Sequence, residues 1–338
     1  MHNILDTPAA TDDAPANVPQ HNAASAGSRA WRLIVRFNTV LILLVLLVAA
    51  SYVSPDFMTS ANMANVARQV VTVGIMSMGM LLVVLTGGID LSVGSVAALA
   101  SVVTAMLIPE YGLPGAIACG LFAGVLCGLV SGSLVAHYQL SPFVVTLAMM
   151  TVARGAALII SKGAPTMVDD SGQALLDFGR DSWWIMPEPT VLMLAVFALG
   201  AGFLAYTRAG RIVRAIGSNE EAVRLSGVPV RRHLILAYLV SGLLAAGAGI
   251  ISVGRAGVGS PTVSTGDELT VIAAVVIGGA SLAGGRGTVL NTLVGVITLG
   301  VIGNIMNLAS VPGYHQQVVM GVIIIIAILA QRGTRARA

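Results

Sequence analysis

The sequence predicts an all-α fold, a polytopic membrane helix bundle of about ten transmembrane helices. Three observations predict it. Of 338 residues, 56% are hydrophobic and only 10% charged, where a soluble domain carries about 25% charged residues. The mean hydropathy is +0.89. A water-soluble fold of this composition would lack the polar surface to cover itself, whereas lipid accepts apolar side chains facing outward. The second observation is a series of apolar runs long enough to span a bilayer. The third is that basic residues gather in alternate connections between those runs.

The elements follow in chain order. Residues 1–30 are expected to form a disordered cytoplasmic tail, because 1–28 are rich in Ala, Asn, Asp, Pro and Ser with no apolar period. The first apolar run begins near Leu33. A cleaved signal would start the chain with a short basic region and an apolar core, whereas this run begins only after the tail and is long enough to span, so it is expected to be retained. The transmembrane region covers 31–332, with spans expected at 33–53, 67–86, 91–108, 115–137, 142–160, 189–206, 233–253, 268–283, 288–308 and 315–331. Val- and Ile-rich stretches within them are too long and too little alternating for barrel strands. Residues 333–338 form a second short tail.

Charge sets the orientation. With both termini inside, the cytoplasmic segments hold 13 of the 18 basic residues. These are Arg29, Arg32 and Arg36 before the first span, six arginines in the 207–232 loop, Arg286 in a short turn, and Arg332, Arg335 and Arg337 at the end. That agrees with the preference of Lys and Arg for the cytoplasmic side, and it requires an even number of spans. The external 161–188 loop carries Trp183 and Trp184 just before the next span. Such rings anchor a chain at the headgroup layer, and contact with an external partner is the second reading.

Two glycine-rich octets interrupt the apolar pattern. Gly87-Gly88-Ile89-Asp90-Leu91-Ser92-Val93-Gly94 lies in the N-terminal half, and Gly278-Gly279-Ala280-Ser281-Leu282-Ala283-Gly284-Gly285 in the C-terminal half. Both read Gly-Gly-x-x-Leu-x-x-Gly. Glycine breaks at matching places in two halves point to a transport path, and two tight hairpin turns are the plainer alternative. Asp90 is expected to cap the helix that follows it. A proton relay would call for a second acid well inside a span, and none stands out. Arg154 is expected either to snorkel or to pair within the bundle. Asn291, Asn304 and Asn307 are polar candidates for the path, the last two on one helical face. Interhelical hydrogen bonding accounts for them equally well.

The 207–232 loop contains a short charged helix. Ser218 or Asn219 can cap it, Glu220 and Glu221 suit its first turn, Gly227 can end it and Pro229 stops its continuation. A short, capped, charged helix in the largest cytoplasmic loop is a ready docking surface for a partner, and a solvated surface helix is the plainer alternative. Other chemistry finds little support. Cys119 and Cys127 have no metal-ligand neighbours and read as packed thiols. His2, His21, His137, His233 and His315 form no pair at ligand spacing. No catalytic, cofactor or metal residue is expected, and the net charge of +3 does not suggest nucleic acid.

These residues carry a resemblance. The chain from 33 to 331 resembles the permease subunits of bacterial ATP-binding cassette importers for ribose and related monosaccharides. The Gly87–Gly94 octet, the Thr146-Leu147…Arg154-Gly155 stretch, the Gly278–Gly287 segment and the run Ala215–Ala222 are all similar to that family. The broader importer signature is Glu-Ala-Ala, three residues, then Gly. Glu221, Ala222 and Gly227 fit it, and Val223 replaces the second Ala. The resemblance implies a multi-pass subunit of the bacterial inner membrane, a second permease copy (commonly a homodimer), an ATP-binding cassette protein and a periplasmic sugar-binding protein. Gly217, Ser218, Asn219, Glu220, Glu221, Ala222 and Gly227 would couple to the ATP-binding subunit. Gly87, Gly88, Asp90, Ser92, Gly94, Gly278, Gly279, Gly284, Gly285, Asn304 and Asn307 would form the path or gate. The chain has no Gly-rich loop ending in Gly-Lys-Ser or Gly-Lys-Thr, so ATP and Mg belong to the partner. The rival function is an ion-gradient-driven transporter of a small polar solute.

Overall fold

A computed structural model of the chain describes residues 38–184 and 186–335. The expected tail at 1–30 and the start of the first span lie outside the described residues. Twelve α-helices occur among those described: α1 (Asn38–Val53), α2 (Ser60–Leu85), α3 (Val93–Tyr138), α4 (Pro142–Ile160), α5 (Gln173–Arg180), α6 (Glu188–Tyr206), α7 (Arg208–Ser218), α8 (Glu220–Leu225), α9 (Val230–Ala256), α10 (Asp267–Ile277), α11 (Val289–Leu308) and α12 (Gly313–Arg335). Short strands β1 (Thr166–Met167) and β4 (Val258–Gly259) pair antiparallel, as do β2 (Ser182–Trp183) and β3 (Met186–Pro187).

Six of these helices are long and apolar enough to cross a membrane. Large apolar side chains stand on the outside, among them Leu199 at 74% and Ile159 at 79% exposure. Water would penalise such a surface and lipid does not.

Two expected spans, 91–108 and 115–137, lie within the single 46-residue helix α3. A straight helix of that length would reach about 69 Å, over twice the hydrocarbon thickness of about 30 Å. Instead α3 turns back at Gly112, where φ is 67° and ψ is 170°, between Pro109 and Pro114. The Thr104 hydroxyl donates to the Ala116 carbonyl at 3.4 Å across the two arms. The expected span at 268–283 is corrected. Helix α10 stops at Ile277 after 11 residues, because the glycines that follow end it.

Four glycines at every fourth position, Gly120, Gly124, Gly128 and Gly132, form one stripe on the second arm of α3. They bring that arm into backbone contact with α9. A Cβ on Gly128 would lie 3.0 Å from Leu239 Cα, and one on Gly242 would lie 3.0 Å from Gly128 N. Small residues spaced in fours permit such close packing between membrane helices. The stripe is a simple four-residue period in the sequence, a signal that the apolar runs alone do not carry. Gly128→Leu should destabilise the bundle by about 1–3 kcal/mol through overpacking, seen as a lower midpoint of thermal unfolding in detergent.

Candidate functional site

The two glycine octets end helices in the same way. At the end of α2, the Gly88 N–H donates to the Val83 carbonyl at 3.1 Å, with Gly87 at φ 87°. At the end of α10, the Ala280 N–H donates to the Val275 carbonyl at 3.1 Å, with Gly279 at φ 81°. Both are Schellman stops, which need a left-handed residue and so favour glycine. The matching pair is therefore Gly87 and Gly279, one residue off the Gly-Gly-x-x-Leu-x-x-Gly alignment. That octet alignment is corrected: what repeats is a helix stop, and the chain diverges beyond it.

After the stops the segments are held differently. In the second, the Ser281 N–H donates to the Arg286 carbonyl at 2.8 Å, closing a compact turn. Thr288 then caps α11, accepting from the Asn291 N–H at 3.2 Å. In the first, the chain is organised by Asp90, which is 1% exposed. Its Oδ1 accepts from the Ser92 N–H at 3.0 Å and the Ser92 hydroxyl at 2.6 Å. Its Oδ2 accepts from the Ser241 hydroxyl of α9 at 2.7 Å. The expectation that Asp90 itself caps α3 is corrected, since Ser92 occupies the cap position. Asp90 instead makes an Asx turn before the helix and ties it to α9. Ser241 lies about 16 Å along α9 from Val230, so the first break dips into the bundle before α3 begins.

A second irregular segment, 257–266, also runs inside. The Ser101 hydroxyl donates to the Ser260 carbonyl at 3.2 Å and accepts from the Ser260 N–H at 3.3 Å. A Cβ on Gly94 would lie 2.5 Å from the Ser264 carbonyl oxygen and 2.6 Å from Glu268 Oε2. The start of α10, with Asp267 and Glu268, thus lies beside the start of α3. Both acids are half-buried. Their position at the edge of an apolar run gives no local sign of this placement.

Helix α4 holds both irregular segments. The Thr146 hydroxyl donates to the Ile89 carbonyl at 3.2 Å, within the first break. Two turns on, Arg154 Nη1 donates to the Pro261 and Val263 carbonyls at 2.7 and 2.9 Å. Of the two expectations for Arg154, pairing within the protein is the one found. Its partners are backbone groups that would otherwise lack donors.

The breaks converge on one point. The Gly285 N–H donates to the Leu85 carbonyl at 3.0 Å, joining the second break to the end of α2. The end of α7 is wedged against both. A Cβ on Gly284 would lie 2.7 Å from the Gly217 carbonyl oxygen and 3.0 Å from Gly87 Cα. A Cβ on Gly217 would lie 2.5 Å from the Gly285 N and 2.9 Å from the Leu85 carbonyl carbon. Gly87, Gly217, Gly284 and Gly285 therefore meet without side chains between them. Helix α7 is amphipathic, burying Gly210, Val213 and Ile216.

Asn219 follows at once and caps α8, its Oδ1 accepting from the Ala222 N–H at 3.0 Å. Of Ser218 and Asn219, Asn219 is the cap. Ser218, Asn219, Glu220, Glu221, Ala222 and Gly227 are all exposed. Glu221 pairs with Arg224, and Leu225 is 80% exposed.

Asn304 and Asn307 lie near the opposite end of α2. Asn304 is buried in a reciprocal amide pair with Asn62, at 2.9 and 2.8 Å, and Asn307 accepts from Gln316 at 2.8 Å. Asn62→Leu or Asn304→Leu alone should cost about 1–3 kcal/mol by orphaning the partner, and the double variant less than the sum. Unfolding of the three variants in detergent measures the difference. At this end Trp183 and Trp184 stand exposed on the β2–β3 turn.

A bundle whose backbone breaks inside, with the breaks joined to an exposed helix, is the plan of a membrane permease. Residues 62–328 match the family described as the permease component of branched-chain amino acid transport systems, and the chain belongs to that family. Among its relatives, the ribose import permease RbsC of Escherichia coli (strain K12) is 40% identical over 305 residues, 89% of this chain and 94% of the relative. RbsC of Bacillus subtilis (strain 168) is 39% identical, over 86% of this chain and 90% of the relative. The L-arabinose transporter permease AraH of Azospirillum brasilense is 37% identical, over 92% of this chain and 93% of the relative. No solved structure matches the chain. The resemblance to ribose-type permeases is thereby confirmed, and the chain is a multi-pass transport permease.

Proposed function

We propose that this permease is the membrane subunit of an ATP-driven importer and passes a monosaccharide, ribose or a related sugar, across the bacterial inner membrane. The similarity to ribose and arabinose permeases supports the substrate class. In this reading the chain crosses the membrane about ten times, each arm of α3 counting as one crossing and α10 together with the break that follows it making another. Both termini and α8 are cytoplasmic, which the clustering of arginines supports. Two copies form the pore. A periplasmic protein delivers the sugar, and a partner holds ATP and Mg.

The observation that carries this reading is the meeting of both glycine breaks at Gly217, two residues before α8. A partner that moves α8 moves the end of α7, and with it the backbone at Gly87, Gly284 and Gly285. Gly88, Ser92, Gly94, Gly278 and Gly279 belong to the same moving segments. Uptake of labelled sugar into proteoliposomes holding the permease with its partners tests it. Uptake should require ATP and the binding protein, and should survive an uncoupler. Uptake that needs no ATP and stops with the uncoupler would replace this reading with ion-driven transport.

A further inference from the structure

We propose that the groove between α2, α6, α7 and α9 holds an anionic phospholipid of the cytoplasmic leaflet, its acyl chain along the groove and its phosphate on Arg208 and Arg232. The choice of leaflet rests on the orientation proposed above. The groove encloses about 730 Å³, and every described residue lining it is apolar. Buried Met78 and Leu82 of α2 form its floor, and exposed Leu199 of α6 and Leu236 of α9 its rims. Val213 of α7 lines it as well. Leu236 to Leu244 cover about 12 Å along α9, which fits within one leaflet, about 15 Å of hydrocarbon.

Charge at the mouth selects the occupant. Leu236, Val240 and Leu244 stand at every fourth position of α9, and Arg232 continues their row one turn nearer the helix start. On the α6 side, the Thr207 hydroxyl donates to the Phe203 carbonyl at 2.7 Å and accepts from the Gly210 N–H at 3.0 Å. Those bonds fix the corner from α6 into α7 at the residue before Arg208. Both arginines are exposed, and neither is in an ion pair among the described residues. Between 189 and 266 the only acids are Glu220 and Glu221, and both face other cations. Glu221 pairs with Arg224, and Glu220 lines a separate cavity with Arg224 and Arg231. Unmatched cations above a wholly apolar groove suit a molecule with a negative head and a hydrocarbon tail. A neutral lipid would leave the arginines unmatched, and a soluble anion would leave the groove unfilled. Val213 stands one turn before Gly217 on α7, so the bound chain packs against the helix that meets both glycine breaks.

The test uses the full chain with its copurifying partners in mild detergent, with bound lipids counted by native mass spectrometry. The parent should bind dioleoylphosphatidylglycerol several-fold better than dioleoylphosphatidylcholine, since each cation near an anionic headgroup is worth about a fivefold gain. Arg208→Gln with Arg232→Gln should abolish that preference, whereas Arg231→Gln, which alters the neighbouring cavity instead, should keep it. Leu236→Trp should lower the count of both lipids by filling the groove. Equal binding of the two lipids by the parent, or a preference that survives the double variant, overturns the proposal. Displacement of phosphatidylglycerol by glycerol 3-phosphate alone also overturns it and marks a site for a soluble anion. Loss of the dimer in Leu236→Trp at an unchanged lipid count overturns it too and gives the groove to a second copy. Uptake by the parent in proteoliposomes separates the two readings. Uptake without ATP removes the importer and leaves the lipid counts to decide the site, whereas ATP-driven uptake with equal lipid counts removes the site and leaves the importer.

Discussion

Gly217→Val is expected to cut ATP-driven uptake by about 5–150-fold, the range of ordinary coupling energies between sites, while the bundle stays folded and keeps its ATP-binding partner. The side chain would enter a space bounded by Leu85 and Gly285 backbone atoms, 2.5 Å from the Gly285 N. Backbone cannot rotate away as a side chain can, so α7 must lift off the two breaks. Helix α8 follows through Asn219 and remains exposed, so docking survives while transmission fails. ATP hydrolysis and sugar uptake measured on the same proteoliposomes separate the two effects. Uptake and hydrolysis both at wild-type rates would show that the contact carries no coupling.

Asp90→Ala is expected to be the most damaging single change inside the membrane region. It leaves the Ser92 N–H, the Ser92 hydroxyl and the Ser241 hydroxyl without their acceptor, each at a cost of about 1–3 kcal/mol where no other partner is found. Asp90→Asn should behave very differently. Its carbonyl oxygen can still accept from Ser92, and its amide can donate to the Ser241 oxygen. Near-normal stability and uptake in Asp90→Asn would mark the residue as an anchor of the break. Normal folding with complete loss of uptake would instead mark a carboxyl that must exchange a proton. Thermal unfolding in detergent and uptake rates for the two variants supply both readouts.

Lipid imposes one loud rule, a long apolar run for each crossing, and the runs in this chain obey it. That is why α2, α4, α6, α9 and α11 are legible, and why α3 reads as two segments even without the turn at Gly112. The rule does not register where a helix starts or stops inside an apolar run. The segment 257–266 and the short α10 therefore escaped it. They are held by Ser101, Arg154 and the β1–β4 pairing, partners far away along the chain. Asp90 stood out as an acid among apolar residues, but its bond to Ser241, 151 positions distant, left no local trace. The α8 helix was legible because caps and stops are local, with Asn219 before it and Pro229 after it. The convergence of Gly87, Gly217 and Gly284 was not, since a missing side chain says that something approaches without saying what.

Copurification of the tagged chain in mild detergent, wild type against Glu221→Arg with Gly227→Pro, tests the central claim most directly. The charge reversal removes the Glu221–Arg224 pair, and the proline alters the turn that closes α8. Both changes lie on exposed residues, so the bundle should still fold. An ATP-binding subunit, identified by mass, should accompany the wild type and be lost from the folded variant. Recovery of no ATP-binding subunit with an intact wild-type bundle, under every condition that preserves it, would contradict the account.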